Sequence, residues 1–203
     1  LTTALSHYDL HQEYFMEILD GMAMDLSQFS YPDFTQLTLY CHRVASVVGL
    51  LSAEIFGYQE PATLRYAENL GMALQLTNII RDVREDAERG RVYLPQDEMT
   101  QFGVDLDSLL ALESSTELVA LLAFQAKRVQ QYYQQAMAAL PDCDRYSQLT
   151  GLIMAQIYQA TLQEISDDNY QVMQYRVSLT PLRKFWIAWT TAREQRRWRV
   201  KAA

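Results

Sequence analysis

The stretch Gln75-Leu76-Thr77-Asn78-Ile79-Ile80-Arg81-Asp82-Val83-Arg84-Glu85-Asp86 governs the reading of the whole chain. Its apolar residues recur at helical intervals. On a helix, Asn78, Asp82 and Asp86 stand four residues apart along one face, stepped by roughly 40° and about 6 Å. Leu76, Ile79, Ile80 and Val83 fill the adjoining angles, so three oxygen-bearing side chains border an apolar face. Carboxylates are costly there unless a cation meets them. Mg²⁺ suits the position, because it takes oxygen ligands, keeps several waters and is commonly held by one or two carboxylates plus substrate phosphates. The alternative is a solvated charged helix end, the ordinary fate of a charge run such as that from Asp82 to Arg91.

Outward from this stretch the period stays helical. Helices are expected over 10–26, 37–56, 62–88, 105–112, 116–140, 146–167 and 180–199, with Pro61 opening the third and Gly90 ending it. Residues 91–101 read as a loop, and no alternating pattern of useful length suggests a strand. The expected fold is all-α, with helices around a central cavity, in one domain spanning 1–203 whose last segment, 181–203, is a basic aromatic helix.

Composition narrows the function classes. Hydrophobic residues make up 49% of the 203, with only 7 Gly and 5 Pro, which leaves little room for disordered linkers. Cys41 and Cys143 are too few for a disulfide framework and read as reduced thiols of a cytoplasmic protein. No run of 18 apolar residues suggests a membrane span. A net charge of -8 argues against nucleic acid as partner. It would also repel a polyanionic substrate unless divalent cations intervene. From Pro181 onward, however, seven bases face the single acid Glu194, so a segment of +6 is attached to a body of -14. Phe185, Trp186, Trp189 and Trp198 are interleaved with those bases, which suits either a packed terminal helix or peripheral contact with the inner membrane. His7 and His11 make at most half a zinc site.

Two segments carry a family resemblance. The string Gln75 to Gln96, continuing Ala87-Glu-Arg-Gly-Arg-Val-Tyr-Leu-Pro-Gln96, closely resembles the second aspartate-rich segment of the squalene/phytoene synthase family. Tyr40-Cys-His-Arg-Val-Ala-Ser-Val-Val-Gly-Leu-Leu-Ser-Ala-Glu-Ile-Phe56 is similar to the family's other signature. The flanking text, about Leu10 to Trp189, is most similar to bacterial presqualene diphosphate synthases. The resemblance implies the isoprenoid-synthase fold and the Mg²⁺-dependent condensation of two farnesyl diphosphates. It implies metal ligands at Asn78, Asp82 and Asp86, with Asp25 contributing from a neighbouring helix. Gln75, Arg81 and Arg176 are expected at the diphosphate. Tyr40 and Tyr158 are expected at the reacting centre, where a tyrosine offers a π face to a cation and a hydroxyl to a proton. Val44, Val48 and Ser52, with Leu51, share helical spacing with Tyr40 and would line a tunnel for the prenyl tail. Ser46 replaces a glycine common in relatives, a change expected to narrow that tunnel.

The family's first aspartate-rich motif is not found in this chain, which begins at Leu1. The expectation is a longer gene product, an inactive fragment and exposed apolar surface where upstream helices would pack. Two rivals stand beside the farnesyl reading: a phytoene synthase using two geranylgeranyl diphosphates, and a non-catalytic relative of assembly-factor type. Oligomeric state is not legible.

Overall fold

The computed structural model describes Tyr8 and residues 10–199, with side chains through Arg196, so His7 and residues 200–203 lie outside it. The helices are α1 Gln12–Ser27, α2 Phe34–Cys41, α3 Val47–Phe56, α4 Ala62–Arg81, α5 Val83–Glu88, α6 Gln96–Phe102, α7 Leu106–Leu110, α8 Thr116–Ala139, α9 Leu149–Asp167 and α10 Pro181–Arg199. A π-helical turn, His42–Ser46, fuses α2 and α3 into one rod. Among the described residues the only β feature is an isolated bridge between Ser30 and Val92. The fold is all-α, as expected.

Local chemistry sets the starts. Asp33 Oδ1 accepts from Gln36 N at 2.8 Å at the head of α2, and Ser115 Oγ accepts from Leu118 N at 3.1 Å at the head of α8. Gly103, at φ 74°, ends α6 in the left-handed region that side chains resist. Asp144 is a buried long-range cap. Its carboxylate accepts from Gln59 N (2.7 Å), Glu60 N (3.1 Å) and Thr63 Oγ1 (2.6 Å), fixing where α4 begins.

Helix α4 is the centre of the bundle. It buries Tyr66, Leu70, Met72, Ala73, Leu76, Ile79 and Ile80, and its largest interface is with α8, through Leu118, Leu121, Leu122, Val129 and Tyr133. The rod packs on its other side with almost no gap. A Cβ on Gly71 would lie 2.6 Å from both Ala45 O and Ser46 Cα, and one on Gly49 would lie 2.5 Å from Ala67 O. Glycine is required at this crossing because backbone meets backbone.

Four expectations need correction. The helix expected over 62–88 breaks at Asp82 (φ -101°, ψ 14°), so Asp82 lies at a kink between α4 and α5, although Asp82 N still bonds Asn78 O and Asp86 N bonds Asp82 O. The supposed loop 91–101 contains α6. Ser46 is fully buried with its hydroxyl on Glu68 O at 2.9 Å, so it faces α4 and does not narrow a cavity. The wider π turn, with its i→i+5 bonding, rotates α3 relative to Tyr40, so Tyr40 does not share a cavity wall with Val44, Val48 and Ser52. The rod over 34–56 is long and apolar enough to cross a membrane by length and composition, yet Leu37, Tyr40, Cys41, Val47, Leu50 and Ala53 bury it in the bundle.

Two helices carry rows of exposed apolar side chains, Met16, Leu19, Met22 and Leu26 on α1 and Leu182, Phe185, Trp186 and Trp189 on α10, and Val48, Ile55, Phe56, Leu106, Leu110, Phe124 and Met154 are exposed elsewhere.

Candidate active site

Two cavities meet at the carboxyl-terminal part of α4. The polar one, about 240 Å³, is lined by Tyr40, Gln75, Asn78, Ile79, Arg81, Asp82, Asp86 and Tyr93. The apolar one, about 320 Å³, takes Val44, Val48 and Ser52 from the rod, Leu70 and Leu74 from α4, and Met154 and Tyr158 from α9. Gln75 and Asn78 line both. Leu51 does not reach the apolar wall. A cleft of about 350 Å³ between α8 and α9 is lined by glutamines, Tyr133, Met137 and Leu162, with no charged group.

The kink at Asp82 aims its carboxylate at two guanidinium groups. Arg81 holds it in a fork, Nε to Oδ1 at 2.7 Å and Nη2 to Oδ2 at 2.5 Å, and Arg176 adds Nε to Oδ1 at 2.9 Å. Arg176 also reaches Glu85 at 3.2 Å. It comes from an irregular segment after α9 that is tied down where Arg84 Nη1 donates to Met173 O at 2.6 Å. Burial works against the Asp82 charge, but the hydrogen bonds of Arg81 and Arg176 outweigh it and hold its pKa below the ordinary carboxylate range. Asp86 has the opposite balance. Burial first, then the neighbouring charge of Asp82, lift it to about 6, with Arg89 and Arg91 offsetting only part.

Asn78 Oδ1 is buried and has no hydrogen-bond partner among the described residues. An unpartnered carbonyl oxygen and a carboxylate with a raised pKa thus line the same cavity, and both are oxygen donors of the kind a hard divalent cation takes. The described His, Cys, Asp and Glu side chains nowhere converge three at a point, so protein donors here amount to two carboxylates and an amide. Asp25 is not among them. Its carboxylate instead accepts from Tyr93 Oη at 2.9 Å and Tyr40 Oη at 3.3 Å, while Arg91 Nη2 donates to its backbone carbonyl at 3.0 Å.

Tyr40 therefore sits in an aromatic cluster. Its ring centre is 5.2 Å from Tyr93 and 5.4 Å from Tyr31, and Tyr31 is 5.7 Å from Tyr93. Burial, then the Tyr93 hydroxyl and the Asp25 charge, push the Tyr40 phenol well above its usual range, so it stays protonated. Tyr158 stands on the apolar wall, within electrostatic reach of Arg81. Sequence reasoning missed Tyr93 and Tyr31. Tyr93 lies in Gly90-Arg-Val-Tyr-Leu-Pro95, inside the matched string but read there only as loop. Tyr31 had no local signal beyond preceding Pro32.

Relatives share this architecture. The squalene/phytoene synthase family model matches residues 1–183. A phytoene synthase of Mycobacterium tuberculosis is 42% identical over 177 residues, covering 86% of this chain and 59% of that protein. The 15-cis-phytoene synthase of Synechococcus elongatus is 34% identical over 196 residues, covering 91% of this chain and 64% of that protein. The chain thus spans about three-fifths of the length of these two curated relatives. Among solved structures, a dehydrosqualene synthase in complex with ligand superposes with a TM-score of 0.81 at 26% identity, covering 97% of this chain and 69% of that one. The squalene synthase HpnC from Alicyclobacillus acidocaldarius gives 0.73 at 25%, covering 80% and 62%. Likeness to presqualene-type sequences is therefore accompanied by relatives named for phytoene, and the resemblance to one subfamily broadens to the family. With a match over nine-tenths of its length, an all-α bundle and a kinked Asn78-Asp82-Asp86 face at the junction of two cavities, the chain belongs to the squalene/phytoene synthase family.

Proposed function

We propose that this chain carries the core of a site that joins two prenyl diphosphates head to head, releasing diphosphate. The observation that carries the reading is the shared wall of Gln75 and Asn78, which places a polar, charge-rich cavity against an apolar one of comparable size. An amphipathic substrate with a polyanionic head and a hydrocarbon tail needs both.

Mg²⁺ is the cation we propose for Asn78, Asp82 and Asp86, where it would supply positive charge to stabilise the departing diphosphate. The side chains have their own tasks. Arg81 and Arg176 present planar forks suited to diphosphate oxygens, and both already stand at the site on Asp82. When the carbon–oxygen bond of one substrate breaks, the electron pair leaves with diphosphate, and the double bond of the second substrate attacks the allylic cation. One proton must then leave carbon. Tyr40, held protonated between Asp25 and Tyr93, orients a hydroxyl and a π face at that end of the cavity, with released diphosphate as the final base. Val44, Val48, Met154 and Tyr158 give the neighbouring cavity its apolar lining.

Different observations favour two tail lengths. The presqualene-type sequence resemblance and the squalene-type and dehydrosqualene-type structural relatives favour farnesyl diphosphate, giving presqualene diphosphate. The 42% identity to a phytoene synthase favours geranylgeranyl diphosphate. The test is a turnover assay of this chain and of its full gene product with each substrate, with Mg²⁺ and with chelator, and products identified by mass. A metal-dependent thirty-carbon diphosphate supports the farnesyl reading, and a forty-carbon product supports the geranylgeranyl one. No condensation by the full gene product with either substrate contradicts the proposal and favours a non-catalytic relative.

A further inference from the structure

The tyrosine cluster at the polar cavity stands on two irregular segments that run side by side. Val92 N donates to Phe29 O at 2.8 Å, Gln96 N to Tyr31 O at 2.9 Å and Asp97 N to Pro32 O at 3.1 Å. Tyr31 and Tyr93 belong to these paired segments, and their rings flank that of Tyr40. Each segment runs on into a helix, 29–33 into α2 at Phe34 and 91–95 into α6 at Gln96. One side chain of α8 meets both helix starts. The Arg128 guanidinium lies 3.7 Å from the Phe34 ring centre, and its fork holds Glu98, Nη2 to Oε1 at 2.5 Å and Nη1 to Oε2 at 3.1 Å. Gln125, one turn earlier on α8, closes the group. Its Nε2 donates to Glu98 Oε2, and its Oε1 accepts from Arg128 Nη1 at 2.9 Å.

The Glu98 and Arg128 side chains are 10% and 18% exposed, whereas the pairs Arg43–Glu17, Arg84–Glu88 and Arg183–Glu164 each have a partner at least 40% exposed. A buried ion pair gains little stability over apolar side chains of the same volume, because desolvation offsets the attraction. What it does fix is geometry, since a planar fork on a carboxylate, stacked on an aromatic face, tolerates little displacement. We infer that Glu98, Gln125 and Arg128 are positioning residues, a clasp that holds segment 91–98 in register with 29–34 and so places Tyr93 and Tyr31 around Tyr40. The path of contact is short. Glu98 stands five residues after Tyr93, whose hydroxyl donates to Asp25 Oδ1 at 2.9 Å, and Asp25 Oδ2 accepts from Tyr40 Oη at 3.3 Å. A slip of one residue between the segments would turn Tyr93 away from Asp25, because successive side chains of bridge-paired backbone point to opposite sides. Arg128 itself lines neither cavity, so it acts only through these neighbours. The consequence for catalysis rests on the role proposed above for Tyr40.

The experiment replaces the clasp with apolar side chains of similar volume, Glu98→Met, Gln125→Leu and Arg128→Met together, and follows amide hydrogen exchange of this chain residue by residue. The expected result is exchange at least about tenfold faster at Val92, Gln96 and Asp97, with the middle of α4 and the melting temperature unchanged. Arg128→Lys keeps the charge but loses the fork and the stack, and should loosen the same three amides to a smaller degree. In the full gene product the triple variant should lower kcat about tenfold and leave KM within about twofold, because Arg81 and Arg176 are untouched. Unchanged exchange at the three amides in both variants overturns the inference. So does acceleration spread over the whole chain with a lower melting temperature in both variants, which would make the group ordinary packing. A loosened register with kcat intact overturns it as well. A wild-type gene product that condenses neither substrate contradicts the proposed function alone, and the exchange pattern still decides whether the clasp places the tyrosines.

Discussion

The two cavities beside α4 differ in how their walls are made. The apolar wall combines core residues with open ones: Tyr66, Ala67 and Leu70 are buried, Val48, Phe56 and Met154 are exposed, and glycines at 49 and 71 bring the helices close. The polar wall works against stability. It crowds Asp82 against Asp86 and breaks the helix at Asp82, and the unpartnered Asn78 oxygen stands where the two walls meet. Packing accounts for the buried part of the first wall, whereas the crowded oxygens of the second suit a ligand of opposite charge. Substitutions in the two walls should therefore fail in different ways.

The largest expected effect is at the kink. Asp82→Ala removes the carboxylate that Arg81 and Arg176 share, and metal-dependent turnover should fall by about 10²–10³ or more while circular dichroism stays unchanged. Full activity in that variant would break the distinction outright. Tyr40→Phe comes next. It deletes one donor to Asp25 and the hydroxyl at the cavity end, and kcat should drop by about 10²-fold with little change in KM.

On the apolar side, Val48→Phe fills tail space without touching charge. It should shift the ratio of thirty- to forty-carbon product toward the shorter by about tenfold in competition assays, because pocket volume discriminates hydrocarbon only modestly. Gly71→Ala tests packing itself. Backbone atoms at 2.6 Å cannot yield as a side-chain tip would, so the chain should lose about 1–3 kcal/mol and melt several degrees lower.

The last effect depends on pH. Asp86 has a folded pKa of about 6 against an ordinary 3.8, so between those values the folded chain binds more protons than the unfolded one. Its contribution to stability falls as pH rises through that window. In chelator, Asp86→Asn should raise the melting temperature at pH 7 and have almost no effect near pH 4. Asp82 has the opposite sign, since its lowered pKa contributes stability above the ordinary carboxylate range that is lost on acidification.

Much of this difference is legible in the sequence alone. Helical periodicity locates nearly every element, because an amphipathic stripe is a property of the residue order itself. The oxygen face of Asn78, Asp82 and Asp86 is legible for the same reason. What periodicity cannot show is departure from it. The π turn at His42–Ser46 and the kink at Asp82 both occur inside runs with good helical pattern, and each is set by tertiary packing. Tyr93 is missed because its bond to Asp25 spans 68 residues and joins a helix to an irregular segment. Ser46 is misjudged because facing a neighbouring helix and facing a cavity look alike in one dimension.

The most direct test is a crystal structure of the protein with Mn²⁺, used as an anomalous stand-in for Mg²⁺, and a non-ionisable prenyl thiodiphosphate. The expected result is anomalous density at Asn78, Asp82 and Asp86, diphosphate oxygens within reach of Arg81 or Arg176, and the hydrocarbon tail between Val48 and Tyr158. Metal bound at Asp25 with Asp82 still closed on its arginines, or a tail lying outside the Val48–Tyr158 cavity, would contradict a site built from those two walls.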